Sequence, residues 1–271
     1  MAEQLRCAII IVYNGLHHLQ HLNFMGRMLD IFDHLIFVEG HAKPGGSTYW
    51  CNDLKYQSAI STDGTREYLK EYESDRVHIV LRDKAWSSKD EQFNAGIDKL
   101  REITDKCTLW QVDADEVWRK EQIEANELAL ESSVGCVGFH HIIGKCQDDL
   151  LLAEGKWGSG KVNRVWRWEG QSFVTHEPPM MEGQGVPQLL PEKFLHFSYY
   201  FEKDIEFKNK YYKGYGDLYK SWKELQGWKP SQFPCHIYRA FGRKSSIGRT
   251  NTRIVRRVWE AERLLLRESS N

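Results

Sequence analysis

The stretch "CTLWQVDADEVW" (107–118) decides the fold. It carries an apolar run into Asp113, Asp115 and Glu116. The run reads as a buried strand. Charge at the end of a buried strand is costly unless it is paired or holds a metal. Side chains alternate faces along a strand, so Asp113 and Asp115 are expected on one face, with the small Ala114 turned away. Two carboxylates on one face suit a hard divalent cation such as Mg²⁺ or Mn²⁺, which would offset their mutual repulsion. The plainer alternative is a strand end leading into a helix whose first turn favours acids.

Working outward, "RCAIIIVYNG" (6–15), "HLIFVEG" (34–40) and "VHIVLRD" (77–83) are further buried strands. Between them, 16–29 has helical apolar spacing, 41–61 is a long polar loop, and 61–72 is a turn and helix with Thr65 as N-cap. An amphipathic helix is expected over 88–104. Continuous apolar strands alternating with helices predict an α/β fold with a mostly parallel central sheet flanked by helices. Ligands of such sheets bind beyond the carboxyl ends of the strands. Those ends carry Tyr13 and Asn14, Glu39, Asp83 and Lys84, and the acidic cluster.

Further on, a helix is expected at 121–130, and strands at 134–144, 163–179 (a strand or a hairpin) and 192–200. From about 202 the chain reads as helical, with a break at 227–235 and an amphipathic, basic helix over 253–267. The expected domains are a catalytic unit at 1–200 and a helical, basic C-terminal extension at 201–271 packed on it.

Composition excludes several classes. The chain has 271 residues, 41% hydrophobic and 28% charged, as an ordinary globular protein has. A net charge of −1 gives no pull toward nucleic acid. The longest aliphatic run, Ala8–Val12, is far too short to span a membrane, although the basic tail allows peripheral contact with one. The six scattered cysteines form no C-x-x-C pair and read as reduced thiols of a cytoplasmic protein.

Several motifs occur in a telling order: "FVEG" (37–40), "STDGT" (61–65), "EQFNAGI" (91–97), "VDADE" (112–116), "RVWR" (164–167), "THE" (175–177) and "HFSYY" (196–200). Together, over roughly residues 5–200, they resemble a nucleotide-sugar-dependent glycosyltransferase of the GT-A, Rossmann-like fold, near the broad family two. The resemblance implies a hexosyltransferase-type enzyme that moves a sugar from a nucleotide-diphosphate sugar (UDP by default) to a glycan, lipid-linked or protein acceptor, with inversion. It implies Mn²⁺ or Mg²⁺ as cofactor, with Asp115 as the direct ligand, Asp113 sharing the metal or touching the donor, and His196 as third ligand. Tyr13, Glu39, Asp63, Lys89 and Asn94 become candidates for the nucleotide and donor. Of Arg164 and Arg167, one is expected at the diphosphate and the other on an exposed face. Glu177 is the candidate base and His176 a group that orients the acceptor or a phosphate. Alternatives left open are a non-catalytic nucleotide- or glycan-binding protein on the same fold, a sugar nucleotidyltransferase and a glycoside hydrolase. The nucleotidyltransferase typically needs a Gly-rich phosphate loop after the first strand, where "VYNGLHHL" has one glycine.

Overall fold

The computed structural model describes residues 4–55, 57–153, 159–213, 218–236 and 254–258. Internal contacts divide the chain into two compact units. The first comprises 1–114, 118–137 and 162–192; the second comprises 115–117, 138–161 and 193–271.

The first unit is the expected α/β layer. Strands β1 (Arg6–Val12), β2 (His34–Glu39), β3 (Val77–Val80) and β4 (Cys107–Gln111) pair in parallel in the order β3–β2–β1–β4, with β8 (Ser159–Trp168) antiparallel on β4. Ile9 lies opposite Ile36 and Gln111, so the β-branched runs sit side by side. One face of this sheet packs Cys7, Ile9, Ile36, Val38, Leu109 and Trp166 against Phe93, Ile97 and Leu100 of α4 (Lys89–Ile103). Helix α4 approaches that closely because residue 96 is glycine. A Cβ there would stand 2.8 Å from Ile9 and 3.0 Å from Val38. The opposite face receives α2 (Phe24–Ile31), whose Phe24 meets Phe37 edge-on, and α5 (Lys120–Ala129), whose Glu127 accepts from the Trp110 indole at 2.8 Å. The hairpin of β9 (Phe173–His176) and β10 (Pro179–Met181) adds Phe173 and Met181 to the same core.

Local chemistry alters several expected boundaries. The helix expected over 16–29 is two, α1 (Leu16–His21) and α2, because Asn23 adopts a left-handed backbone (φ 44°), which asparagine tolerates. Helix α3 (Thr65–Lys70) begins after Gly64, itself left-handed (φ 90°), so Thr65 is the first helical residue rather than the cap. Ser88 caps α4, accepting from the Glu91 N–H at 3.0 Å.

The second unit contains β5 (Glu116–Val117), antiparallel to the end of β11 (Gln188–His196), and a ladder of β6 (Val134–Cys146), β7 (Asp149–Ala153) and β13 (Ile254–Val258), joined by β12 (Cys235–His236). Its helices α6 (Glu202–Tyr211) and α7 (Leu218–Gln226) enclose a cluster of Ile143, Leu151, Tyr199, Ile205, Trp222 and Leu225. The Trp222 indole donates to the carbonyls of Ile143 at 3.0 Å and Tyr199 at 2.7 Å. The strand expected over 192–200 ends at His196. The helix expected over 253–267 is instead a strand at 254–258, because pairing with β7 overrides its helical spacing; its remaining residues lie outside the described ones. Cys7, Cys51, Cys107, Cys136 and Cys146 are buried. No described helix is long and apolar enough to cross a membrane.

Candidate functional site

In the first unit the ends of β1, β2 and β4 carry the polar residues the sequence singles out. Glu39 closes β2 fully buried, and its charge is matched. Its carboxylate accepts from the Ser61 N–H at 2.7 Å and from Arg66 Nε at 2.8 Å, with Arg66 Nη2 at 2.7 Å. Arg66 also donates to Asp83 at 3.2 Å and to the Arg82 carbonyl at 2.8 Å. Sequence reading missed Arg66, since its partner lies 27 residues away. The remaining signal was the physics itself: an acid ending a buried strand demands a cation.

Tyr13 directs its hydroxyl to the Ser58 carbonyl at 2.9 Å and to Gln57 Oε1 at 3.0 Å, with its ring 5.2 Å from that of His41. Burial and the charges of Glu39 and Asp63 push its phenol up, against a hydrogen bond with Asn14. Asp63 accepts from the Thr65 N–H and hydroxyl and from the Leu16 N–H, so its carboxylate starts α3 and tethers α1. Asn94 exchanges two hydrogen bonds with the backbone of Phe173, at 3.0 and 2.9 Å, and so fastens α4 to β9.

A titratable cluster lies where α4, β4, β8 and β9 converge. Asp113 accepts from Arg164 Nη2 at 2.6 Å, and Arg164 is only 4% exposed. Alternation along β8 turns Arg167 the other way. It is exposed, and its guanidinium donates to the Leu130 carbonyl. One arginine inward and one outward is the arrangement the spacing predicts. Trp166 and Trp168 are core residues.

His176 and Glu177 follow on β9 and the turn after it. Burial drives the His176 imidazole down to about 3, helped by Lys89 and Arg164 and opposed by Asp113 and Asp90. The ring is therefore neutral, and its Nδ1 is buried with no hydrogen-bond partner among the described residues. Desolvation pushes Glu177 up, Lys89 pulls it down, and Asp113 pushes it up again. These effects set Lys89, Asp113, Arg164, His176 and Glu177 in one electrostatic neighbourhood of the first unit.

Asp90, which sequence reading also missed, organises its edge. Its carboxylate accepts from the Ser47 N–H at 2.9 Å, the Ser47 hydroxyl at 2.6 Å and the His176 N–H at 2.7 Å. Burial would raise Asp90, but these donors outweigh it and hold it below its ordinary value. Residue 46 is a left-handed glycine (φ 53°), and a Cβ there would fall 1.9 Å from Asp90 Oδ2.

The acids themselves depart from expectation. Strand β4 ends at Gln111, so Asp113 and Asp115 stand in the connection to β5, not on a strand, and period-two alternation does not place them. In the second unit Asp115 Oδ1 lies 3.3 Å from His196 Nε2, and the Asp115 carbonyl accepts from the Phe197 N–H at 2.7 Å. The pairing of Glu116 with His196 across β5 and β11 sets this proximity. The His196 ring lies 5.0 Å from that of His141, whose Nδ1 is 2.8 Å from the Ser198 hydroxyl. Burial holds His141 well below its ordinary value, with His196 and Lys208 adding to the effect and Asp115 opposing it.

The protein is thus a mixed α/β fold in which the connection after β4 brings Asp113 to the buried Arg164 of β8 and Asp115 to His196 of β11. No family model matches the chain, and no curated protein matches it. Among solved structures it is similar to the crystal structure of S. aureus TarS 1-349, with 14% identity and a TM-score of 0.34 over 52% of this chain. The match spans 36% of that chain's length.

Proposed function

We propose that the protein is a glycosyltransferase of hexosyltransferase type, moving a sugar from a nucleotide-diphosphate sugar to an acceptor hydroxyl with inversion. The observation that carries this reading is the pairing of Asp115 with His196, with Asp113 two residues upstream on the same backbone. Two carboxylates and an imidazole are a donor set that suits Mn²⁺, and Mg²⁺ less well. When bound, such a cation neutralises the charge that develops on a diphosphate leaving group.

This chain's own residues do the rest. Arg164 holds Asp113 in place through a bond at 2.6 Å and would offer fixed positive charge to the diphosphate. Lys89, at the first position of α4, supplies a second cation there. Glu177 takes the acceptor proton. Its raised affinity for protons brings it closer to the value a general base needs near neutrality. His176, neutral, orients the acceptor hydroxyl through a ring nitrogen. Tyr13 offers a ring to the base, Glu39 and Asp63 act by fixing the backbone around it, and Asn94 acts by fastening α4 to β9. The donor nucleotide is UDP by default, and the acceptor a glycan, a lipid-linked sugar or a protein.

Calorimetric titration of UDP and GDP, with and without Mn²⁺, tests the reading on the wild type and on Asp115→Ala. Metal-dependent binding lost in the variant is the expected result and identifies the base. Binding that ignores the metal, or no binding of either nucleotide, overturns it.

A further inference from the structure

The start of the parallel sheet carries a pair of histidines that the proposed transfer reaction does not use. His34 opens β2 and His78 is the second residue of β3, and the register places Leu35 against Val77 and Ile36 against His78. His34 Nδ1 lies 3.2 Å from His78 Nε2, with ring centroids 5.4 Å apart and planes inclined by 32°. Both rings are half-buried, so solvent reaches them. Glu39 ends the same strand five residues on, about 16 Å away along a strand, so the pair stands at the opposite end of the sheet from Glu39, Tyr13 and Asp113.

Two imidazole nitrogens can meet in two ways. One can donate a proton to the other, or both can turn lone pairs toward a shared cation. Zinc–nitrogen bonds are about 2.0–2.1 Å, and two of them at right or tetrahedral angles set their nitrogens about 2.9–3.4 Å apart. The observed 3.2 Å falls inside that bite without movement of either strand. The proton between the rings need not leave the protein. It moves to the far nitrogen of its own ring, His34 Nε2 or His78 Nδ1, and both facing nitrogens become acceptors.

The charges around the pair support this. Asp75 and Glu73 bring negative charge toward His78, and Lys99 brings positive charge. Lys99 is itself paired with Glu102 at 2.7 Å, which blunts its repulsion.

We infer that His34 and His78 form a two-histidine chelate for a borderline divalent cation of the Zn²⁺ or Cu²⁺ class, at the start of β2 and β3 and separate from the proposed transfer site. Imidazole ligands suit these ions, and water fills the remaining positions.

The test is a Zn²⁺ titration of the full chain labelled with ¹⁵N-histidine, read through the ring-nitrogen resonances. His34 Nδ1 and His78 Nε2 are expected to shift together and saturate together. His78→Gln should abolish the His34 shift and weaken binding at this site by roughly tenfold or more, and His34→Gln should do the same to His78 if the first variant does not fold. Shifts at neither ring, at one ring alone, or at His34 unchanged by His78→Gln leave only a hydrogen bond between the rings and overturn the inference. The His196 resonance reports on Asp115 and its cation separately, so failure at one location is distinguishable from failure at the other.

Discussion

Arg66→Met tests what holds the polar end of the sheet. Glu39 is fully buried, and the Arg66 side chain is 11% exposed. Of the donors around the Glu39 carboxylate, Arg66 supplies Nε at 2.8 Å and Nη2 at 2.7 Å, and the Ser61 N–H supplies one at 2.7 Å. Methionine keeps much of the packing of the stem but leaves the carboxylate buried without a countercharge. Breaking a buried pair from one side costs about 3–5 kcal/mol. The Asp83 arm adds little, since that carboxylate is 95% exposed and surface pairs contribute about 0–1 kcal/mol. The expected loss is therefore about 3–5 kcal/mol, most of it from stranding Glu39. Glu39→Met together with Arg66→Met removes the stranded charge and should recover most of that loss. Urea unfolding of the full chain, followed by tryptophan fluorescence, gives all corners of the cycle. Arg66→Met within about 1 kcal/mol of wild type, against the 3–5 kcal/mol expected for a stranded carboxylate, would refute the reasoning. So would a double variant as unstable as the single one. UDP affinity should fall as well, because Glu39 holds Ser61, and Ser61 in turn accepts from the Asn14 N–H at 2.8 Å beside Tyr13.

Glu177→Gln should abolish sugar transfer while leaving UDP binding intact, and the acidic limb of the wild-type rate profile should sit above the ordinary carboxylate range, because the folded protein raises this group and turnover needs it deprotonated; a limb at or below that range removes Glu177 as base. His176 is held near 3 when folded against an ordinary value of 6.5, so as pH falls through that window the unfolded chain binds the proton and the folded one does not. Stability therefore falls between those values, and His176→Gln should unfold less steeply with acid than the wild type does. Gly96→Ala inserts a methyl 2.8 Å from Ile9 and should cost about 1–3 kcal/mol, read from the same urea curves.

The parallel strands are legible in the sequence because each is a continuous apolar run. The runs around Ile9, Ile36 and Leu109 become β1, β2 and β4, and the spacing of Phe93, Ile97 and Leu100 becomes the buried face of α4. What stayed hidden depends on partners distant in the chain. Arg66 meets Glu39 across 27 residues, and Asp90 reaches His176 across 86. The tail misleads because helical spacing in 253–267 competes with a free strand edge on β7, and the edge wins at 254–258. The sharper lesson concerns polar residues at strand ends, which one sequence pattern presents as alike. Glu39, Asp63 and Asn94 hold backbone groups that cannot leave without loosening a turn or a helix start. Asp113 and Asp115 meet the side chains of Arg164 and His196 instead, at 2.6 and 3.3 Å, and a side chain can swing to admit a ligand where a backbone group cannot. Exchange of partners is what a binding carboxylate must do. That physical criterion favours Asp113 and Asp115 for the proposed chemistry, and assigns Glu39 and Asp63 to architecture.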